Sequence, residues 1–586
     1  MTAILTLALC LLPAQQAPPV RPTETVDISG GSGYGQLAVA SGGEYSGVMW
    51  LSDHLNAGRF GVYVSPAGGR GVGFGSPVRI DADPNDAQAQ LRPDSLQVAG
   101  RGIYALWIDL RDQNPGSSGI ESDLWFASSH DAGASWRPER WLDKGHPAGF
   151  GQVAEFRFAA DDHGSADPGD DLLAIALVSI HPSGQGSAVR FLRSNDGGTS
   201  WSAPLDLSAR GGPDLRMSLD GPHVHLAWSE WRGNSPEVFY QRSDDGGRHW
   251  LPQPLGLTPG QTDVIPGALA LDGSGPTVAV AWTERTGGGF SPALSARLSG
   301  DGGRHFGPRQ VIGNYPLGSA SVRDPDLIVH RGTVVATWAD NRASTGRDNY
   351  QAFVAATRDL GHTWFETLIS TAGEGRAPRF ADAGPDAGHL VLAYTTDQVQ
   401  GQVECATSRD GGLHWTPGFQ VSGRPDLVLE SRVAWNERYD NAVVAWLGIN
   451  SIQRIHSYAG GFRPQCVRSG GFFYPGGIAW FEVEGFPVAD EGALFGVLVS
   501  GGEGDWRYNS KARDTGLMGD GVLAASLGMI PGQLSGTIRP GGIGQTAAMT
   551  IPASMPSGKT LYYAAMALRL PSASAAMTDV GSLTLN

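Results

Sequence analysis

The sequence predicts an all-β fold, and three features of the chain support this prediction. Glycine accounts for 84 of the 586 residues and charged residues for only 17%, a balance typical of many short strands joined by tight turns rather than of long solvated helices. Apolar runs of strand length alternate with Gly-rich segments. One short motif also occurs six times, which indicates that a single structural unit is repeated along the chain.

The repeated motif has the pattern Ser/Thr-x-Asp-x-Gly-x-x-Trp/Phe, and successive copies are about 50 to 65 residues apart. This spacing suits one four-stranded blade of a β-propeller per repeat. In each copy we expect the Asp side chain to accept hydrogen bonds from turn amides, the Gly to adopt a conformation that other residues resist, and the aromatic ring to pack into the blade. The central residues of the six copies are Asp131, Asp196, Asp245, Asp301, Asp359 and Asp410.

These motifs resemble the Asp-box, or BNR, repeats of the sialidase (neuraminidase) superfamily, and the resemblance covers roughly residues 90 to 420. In that superfamily the box is a structural hairpin between the third and fourth strands of a blade, so the box Asp residues are expected to be structural. Residues 36–80 and 430–466 resemble further units without a box, which makes eight sequence units. Because sialidase catalytic domains have six blades, we expect six to eight blades here.

The chain divides into three predicted segments. Residues 1–17 are apolar and are interpreted as a signal peptide, although no Lys or Arg precedes Arg21. Residues 30–463 form the predicted Asp-box propeller. Residues 464–586 lack boxes but contain strand-like apolar runs, which predict a small C-terminal β-rich accessory domain similar to a sandwich. The signal peptide implies a secreted or cell-surface protein, extracellular or periplasmic.

The cysteines leave few covalent options. Cys10 follows the bulky Leu9, so a lipid anchor is not expected there. Cys405 and Cys466 are either buried thiols or a single disulfide, and the sequence leaves both alternatives open.

Composition and motifs also exclude several classes of function. A net charge of −16 argues against nucleic-acid binding, which needs an excess of Lys and Arg. No segment after the signal peptide has the roughly 18 apolar residues of a membrane span. No phosphate loop, zinc-ligand spacing or nucleophilic-serine elbow is present, so no cofactor or metal is expected. The acidic stretch over residues 161–171 is interpreted as a solvated loop rather than a calcium site.

One face of the predicted propeller carries repeated charges. Strands alternate in direction within a blade, so the loops after the second strands and before the first strands lie on the face opposite the boxes. Four of these loops contain Trp-x-Asp/Glu followed by Arg, which predicts either salt bridges that fasten the loops or a charged mouth that binds substrate. The arginines of these loops are Arg111, Arg232, Arg285 and Arg342.

The sialidase resemblance implies a more specific site. Sialidases place an Arg before a first strand, a second Arg after the next strand, and an acid/base Asp before the first box. Arg323, Arg342 and Asp348 follow this order, with the Arg groups binding a sugar carboxylate in a forked geometry and the Asp acting as general acid. A second set in the same order consists of Arg92, Arg111 and Asp123, with Asp112 as an alternative to Asp123.

Sialidases complete this site with a Tyr nucleophile, a Glu partner and a third Arg, and here candidates are given by position alone: Tyr350, Tyr394, Tyr439 and Tyr458; Glu155 and Glu430; Arg376, Arg379 and Arg432. Two functions follow. The first is a sialidase-like exo-glycosidase that hydrolyses terminal sialic or other acidic sugars of a glycan or glycoconjugate. The alternative is a non-catalytic secreted propeller that binds glycans or extracellular and cell-surface proteins. An enzyme needs one asymmetric cluster, whereas a binding protein can keep a repeated ring of charges.

Overall fold

The computed structural model describes many separate segments of the chain, and the structural statements below concern these segments only. They are residues 26–27, 33–52, 60–69, 71, 73–82, 89–111, 122–142, 152–180, 186–212, 214–232, 235–260, 264–285, 292–313, 321–342, 349–370, 374–381, 389–396, 401–422, 427–438, 441–449, 455–462, 466–471, 478–484, 486, 493–500, 533–540, 543–551, 560–568 and 581–584. The predicted signal peptide, with Cys10, lies outside them, as do Asp112, Asp348 and Tyr439.

The described part of residues 26–462 forms eight antiparallel sheets of four strands each. In chain order the strands are β1 Val26–Asp27; β2 Gly33–Gly42, β3 Tyr45–Ser52, β4 Gly61–Gly68 and β5 Val78–Arg79 (sheet 1); β6 Leu96–Ala99, β7 Gly102–Asp109, β8 Asp123–Ser129 and β9 Arg140–Trp141 (sheet 2); β10 Gln152–Asp161, β11 Leu172–Ile180, β12 Ser187–Ser194 and β13 Leu205–Ser208 (sheet 3); β14 Leu215–Asp220, β15 His223–Arg232, β16 Ser235–Ser243 and β17 Leu255–Gly256 (sheet 4); β18 Val264–Ser274, β19 Thr277–Arg285, β20 Pro292–Ser299 and β21 Gln310–Ile312 (sheet 5); β22 Val322–His330, β23 Thr333–Asp340, β24 Gln351–Thr357 and β25 Phe365–Leu368 (sheet 6); β26 Arg376–Phe380, β27 Leu390–Thr395, β28 Val403–Ser408 and β29 Phe419–Gln420 (sheet 7); and β30 Leu427–Asn436, β31 Asn441–Ile449 and β32 Ile455–Phe462 (sheet 8, completed by β1). A short 3₁₀ helix, Pro168–Asp170, precedes β11.

Two further sheets follow in the described part of residues 466–584. Their strands are β33 Cys466–Gly471, β34 Ile478–Glu484, β35 Leu494–Ser500, β36 Ser535–Thr537, β37 Gly544–Gln545, β38 Met549–Thr550, β39 Thr560–Leu568 and β40 Gly581–Thr584. One sheet contains β33, β34, β37 and β38, and the other has the order β36, β35, β39, β40. Phe481 of the first sheet and Phe495 of the second share a buried apolar cluster, so the two sheets pack together.

The Asp-box turns connect the third and fourth strands of sheets 2 to 7, as the resemblance implied. In every box the Ser or Thr hydroxyl donates to the Asp Oδ1 at 2.8–3.0 Å, and this oxygen also accepts the amide four residues later at 2.8–2.9 Å. The box glycines have φ between 80° and 95°, a region that other residues disfavour. Hydrogen bonds from Ser135 lower the pKa of Asp131 to about 2, which is consistent with a structural role for the box.

Contacts run from each of the eight sheets to the next and from the last back to the first. Apolar clusters join neighbouring sheets, and one of them combines Leu37 and Trp50 of sheet 1 with Val443 of sheet 8. Side chains also link neighbouring sheets, since Asp272 Oδ2 of sheet 5 accepts a hydrogen bond from the Val329 amide of sheet 6 at 2.7 Å. Six tryptophans of the second strands are fully buried in the sheets or leave 1% of their surface exposed: Trp50, Trp107, Trp228, Trp282, Trp338 and Trp446.

The two ends of this series of sheets are joined by the backbone itself. Strand β1 lies at residues 26–27, yet it forms the outer strand of sheet 8 by pairing antiparallel with β32. The register places Val26 opposite Ala459 and Asp27 opposite Tyr458. The first described strand therefore fastens sheet 8, the last of the eight repeated sheets.

The structure confirms several predictions from the sequence. The protein is all-β, the box-free units at 36–80 and 430–466 are sheets 1 and 8, and the apolar runs beyond residue 464 are strands. Cys405 is a buried free thiol, which decides against its pairing in a disulfide. Among the described residues no helix is long and apolar enough to cross a membrane. The division into domains at residues 463 and 464 stays a prediction.

A buried carboxyl group lies between sheets 2 and 3. The Tyr104 hydroxyl donates to Asp171 Oδ2 at 2.5 Å, and both side chains are fully buried. Asp171 Oδ1 is buried without a hydrogen-bond partner among the described residues. Burial, together with the nearby carboxylates of Asp162 and Asp170, raises the pKa of Asp171 to about 7.

The raised pKa of Asp171 predicts a pH-dependent stability. The unfolded chain loses this proton near pH 4 and the folded chain near pH 7, so the stabilising contribution is complete below pH 4 and is lost as the pH rises to about 7. We expect Asp171→Asn to raise the free energy of unfolding by roughly 1–2 kcal/mol at pH 8 and to change it little at pH 4.5. Thermal melts of both proteins at the two pH values measure this effect.

The matched control is Asp170→Asn, because Asp170 is an exposed neighbour of the same type. Because the Asp170 carboxylate helps to raise the pKa of Asp171, the melting temperature of Asp170→Asn should follow that of the native protein at pH 4.5 and should rise less than that of Asp171→Asn at pH 8. Equal melting temperatures of the native protein and Asp171→Asn at pH 8 would show that ionisation of the Asp171 carboxyl group does not destabilise the folded protein.

Candidate functional site

A single cavity of about 640 Å³ is lined by the first strands of all eight sheets. These strands run side by side around it, because each first strand packs against the first strands of its neighbours. At least one residue of β2, β6, β10, β14, β18, β22, β26 and β30 contributes to its wall. A cavity shared by every repeat is the place where side chains from distant parts of the chain can act together.

Four arginines occupy the same register position on four of these strands. Each lies opposite an alanine of the second strand in its own sheet. In sheets 4 and 8 that alanine directly precedes the buried tryptophan of the strand. Because their positions are equivalent and all four line the cavity, their guanidinium groups converge on it. The pairs are Arg157 and Ala176, Arg216 and Ala227, Arg379 and Ala393, and Arg432 and Ala445.

These four guanidinium groups are unequally neutralised. Arg157 forms an ion pair with Glu155, and Arg432 with Glu430, each two residues earlier on the same strand. Among the described residues, Arg216 has a hydrogen bond to its own Leu215 carbonyl at 2.8 Å and no ion pair. Burial, with the repulsion of Arg157 and Arg379, lowers the pKa of Arg216 to about 10.

Arg379 is also weakly neutralised. Its Nη1 donates to the carbonyl oxygens of Asp324 and Pro378 at 2.9 Å, while the Asp324 carboxylate is 3.9 Å from Nη2. Two guanidinium groups therefore face the cavity with mainly carbonyl partners. A region of this kind attracts an anion, and Arg binds carboxylate or sulfate groups through paired N–H donors.

Carboxyl groups with raised pKa values lie beside the arginines. Burial raises the pKa of Asp94, which lines the cavity and feels the opposing charge of Arg157. Its Oδ2 accepts the Phe158 amide at 2.7 Å, whereas its Oδ1 has no partner among the described residues. Burial likewise raises the pKa of Glu430. The Asp94 carboxyl group can therefore keep its proton and donate it to a bound molecule, whereas Glu430 is held in its ion pair with Arg432.

The opposite end of the cavity is acidic. Asp161 and Asp220 lie four residues beyond Arg157 and Arg216 on their strands, about 13 Å further along. Asp162 and Glu437 line the same end. Turns pack closely here, since a Cβ on Gly43 would lie 2.9 Å from the Gly100 carbonyl oxygen. An anion is therefore attracted to the arginine end and repelled from the other.

The repeated Trp-x-Asp/Glu sequences form a different, local arrangement. In each of four sheets the indole Nε1 donates to the carboxylate two residues later, at 2.7–3.3 Å, and the carboxylate is at most 2% exposed. An Arg then pairs with that carboxylate. We call each set of Trp, acid and Arg a clamp: Trp107, Asp109 and Arg111; Trp228, Glu230 and Arg232; Trp282, Glu284 and Arg309; Trp338, Asp340 and Arg342.

Two members of the first predicted site set, Arg342 and Arg323, make different contacts. Arg342 belongs to the sheet 6 clamp, pairs with both Asp340 and Glu366, and stacks 4.2 Å from the Phe353 ring centre. Arg323 is exposed and stacks over Tyr350 at 4.4 Å. Asp348 lies outside the described residues. The assignment of these three as a catalytic set stays a prediction, and the contacts of Arg342 favour the fastening role.

The members of the second predicted set have local contacts. Arg111 belongs to the sheet 2 clamp, pairs with Asp109 and Glu139, and lies 3.9 Å over the Trp125 ring. Arg92 joins sheets 2 and 3, because its Nε donates to Glu155 at 3.0 Å. Asp123 is buried opposite Asp109.

The remaining predicted residues also have local positions. Arg232 pairs with Glu230 in the sheet 4 clamp and is 41% exposed. Arg285 is exposed, and Glu284 pairs with Arg309 instead of its sequence neighbour. Tyr394 donates to Glu404 at 2.6 Å but is fully buried within sheet 7.

The sequence predicted only part of the arginine cluster. Four residues beside the cavity were predicted by position alone: Arg379, Arg432, Glu155 and Glu430. In the structure Glu155 pairs with Arg157 and Glu430 pairs with Arg432. Arg157 and Arg216 were not singled out. An acid two residues before an Arg in a first strand, as in Glu155-x-Arg157 and Glu430-x-Arg432, is the signal that could have found them.

The clamp geometry predicts the effect of removing Arg342. Asp340 is fully buried, so Arg342→Met leaves an uncompensated carboxylate and should lower the free energy of unfolding by roughly 3 kcal/mol. Arg323→Met is the matched control, because its guanidinium is exposed and its ring contact contributes about 0.5–1 kcal/mol. Thermal melts and urea unfolding measure the difference. An Arg342→Met protein as stable as Arg323→Met would contradict the fastening role.

Comparison with known proteins gives weak similarity only. No protein-family profile and no curated protein sequence matches this chain. Among solved structures, polysaccharide lyase Uly1 is 9% identical with a TM-score of 0.41, covering 67% of this chain and 94% of its own. A PL25 ulvan lyase is 14% identical with a TM-score of 0.40, covering 75% and 96%. The NanB sialidase of Streptococcus pneumoniae is 12% identical with a TM-score of 0.33, covering 64% and 67%. These neighbours act on glycans, but at these scores the functional conclusion depends on the side chains of this chain.

Proposed function

We propose that this protein binds an acidic carbohydrate in its central cavity, with the anionic group of the sugar held by Arg157, Arg216, Arg379 and Arg432. The observation that carries this proposal is the convergence of four equivalent arginines on one cavity, two of them without a close carboxylate partner. Guanidinium groups recognise carboxylate and sulfate oxygens in a planar, forked geometry. The acidic groups at the other end of the cavity orient such a ligand.

The architecture that supports this function is an eight-bladed β-propeller in which each sheet is a blade. Three observations support the proposal: the eight sheets have the same strand order, contacts run from sheet 8 back to sheet 1, and every first strand lines one cavity. Pairing of β1 with β32 would then close the ring. Residues 464–586 form an accessory domain in this proposal.

The proposed location is outside the cell or at its surface. Residues 1–17 support export because they contain an apolar stretch that is followed by Pro13, Ala14 and Ala17. Acidic glycans are surface and extracellular polymers, so the proposed ligand and the proposed location agree.

Binding of matched acidic and neutral sugars tests the proposed function. We expect the full chain to bind sialyllactose in calorimetry and not to bind lactose, because lactose lacks the carboxylate. Arg216→Met/Arg379→Met should weaken sialyllactose binding at least about tenfold, since a hydrogen-bonded charge contributes roughly 1.5–3 kcal/mol. Galacturonate and sulfated disaccharides extend the test to other acidic sugars.

The control for this variant is Arg248→Met, because Arg248 is exposed in an Asp-box turn at the other end of its sheet. This change should leave sugar binding as it is in the native protein. Equal binding of neutral and acidic sugars, or of the double variant and the native protein, would contradict the proposed function.

A second candidate function is sialidase-like exo-glycosidase activity, and the state of Asp94 favours it. Its raised pKa and unpartnered Oδ1 allow it to protonate a glycosidic oxygen while the arginines hold the sugar carboxylate. Hydrolysis would then proceed through an oxocarbenium-like transition state. The rival acid from the sequence is Asp348, preceded by Arg323 and Arg342.

Release of 4-methylumbelliferone from its sialic acid conjugate distinguishes these acids. If Asp94 is the acid, Asp94→Asn should lower kcat at least about 100-fold, because general acid catalysis contributes 10²–10⁴-fold, while sialyllactose binding persists. Activity of the native protein should also fall as the pH rises through the pKa of Asp94. Loss of turnover in Asp348→Asn alone would favour the rival site. No turnover by the native protein would leave the binding function without hydrolysis.

A further inference from the structure

One register position of the first strands carries related residues in sheets that are four apart. The position held by arginine in sheets 3, 4, 7 and 8 is held by Ala38 in sheet 1 and Ala270 in sheet 5, since each lies opposite the residue that precedes the buried tryptophan. Asp326 lies at this position in sheet 6, opposite Thr337. The order around the eight sheets therefore contains alanine in sheets 1 and 5, and arginine in sheets 3, 4, 7 and 8.

Two acidic residues, Asp94 and Asp326, make the same kind of hydrogen bond to the following sheet. Asp94 Oδ2 of sheet 2 accepts the amide of Phe158, the residue after Arg157, at 2.7 Å. Asp326 Oδ2 of sheet 6 accepts the amide of Phe380, the residue after Arg379, at 2.9 Å. Each Asp thus fixes the backbone beside the first arginine of the following sheet. Sheets 1–4 and sheets 5–8 therefore share the order of one alanine and two arginines. The acid lies at the register position in sheet 6, as Asp326, and one residue before it in sheet 2, where Ser95 lies opposite Leu106.

The two halves are alike in charge as well as in position. We define the first half-site as Asp94, Arg157 and Arg216, and the second as Asp326, Arg379 and Arg432. In each half one guanidinium is paired with a glutamate, Arg157 with Glu155 and Arg432 with Glu430. The other guanidinium, Arg216 or Arg379, contacts mainly backbone carbonyls. Each half-site therefore presents one weakly neutralised positive charge to the same cavity.

We propose that the cavity binds one oligosaccharide that carries two anionic groups, with one group on Arg216 of the first half-site and one on Arg379 of the second. This inference rests on the proposed function and specifies its ligand. A single anion leaves one guanidinium uncompensated, whereas two linked anions neutralise both and bind the second half-site at a high effective concentration. A volume of about 640 Å³ is within the range of pockets for small ligands.

The experiment compares three forms of one disaccharide. Calorimetry on the full chain uses digalacturonic acid, its monomethyl ester and its dimethyl ester, which carry two, one and no carboxylates on the same skeleton. The same series made from α2,8-linked disialic acid repeats the comparison on another sugar. We expect the dianion to bind one to one and at least about tenfold more tightly than the monoester, and the dimethyl ester not to bind.

Single arginine variants then separate the half-sites. Arg216→Met and Arg379→Met should each weaken binding of the dianion about tenfold, to the level of the monoester. Each should change monoester binding by no more than about twofold, because the other half-site still binds a single anion. Arg248→Met is the control, and unchanged melting temperatures show that the variants are folded.

The outcomes separate this inference from the proposed function. Equal affinity for dianion and monoester, or loss of monoester binding in either single variant, would show that both arginines hold one anion jointly and would overturn the inference alone. Binding of the dimethyl ester as tight as that of the dianion, or no binding of any acidic form, would overturn the proposed function and this inference with it.

Discussion

The packing of each first strand against the next is the constraint on which the cavity depends. Because the first strands of the eight sheets pack against one another, long side chains at one register position of these strands reach one common cavity. The chain does not need long loops to build a site, because the same residue type repeated at that position brings equivalent side chains together. The four cavity arginines are far apart in sequence, yet the register alone brings them to the same wall.

Buried charge is treated differently at the two kinds of arginine position. In the clamps, an indole N–H and an Arg of the same sheet compensate each buried carboxylate, so the clamp leaves no uncompensated charge to bind a ligand. In the cavity, Arg216 and Arg379 have no equally close carboxylate. The difference separates arginines that fasten the fold from arginines that can bind an anion, and it follows from partners that only the folded chain reveals.

The sequence was sufficient for the fold class, the repeats and the box turns, because these depend on local chemistry. Ser, Asp and Gly at fixed spacing make the same turn wherever they occur, and Trp at the end of a second strand marks the buried side. The cavity residues were harder to predict. Several first strands contain a register shift just before the key position, between Val153 and Glu155 in β10 and between Arg376 and Arg379 in β26. A bulge of this kind changes which residue faces the cavity, and no local pattern fixes its place.

The repeated order of cavity residues bears on whether the site reacts with its ligand or only binds it. The arginines occupy the same register position in the two half-sites, but their ion pairs differ: a glutamate pairs with the first arginine of one half and with the second arginine of the other. Asp94 therefore lies one sheet before a neutralised arginine, whereas Asp326 lies one sheet before a weakly neutralised one. Burial raises the pKa of Asp94, so its carboxyl group keeps its proton more readily. If chemistry occurs in this cavity, the raised pKa of Asp94 and its unpartnered Oδ1 favour the first half-site as the source of the proton.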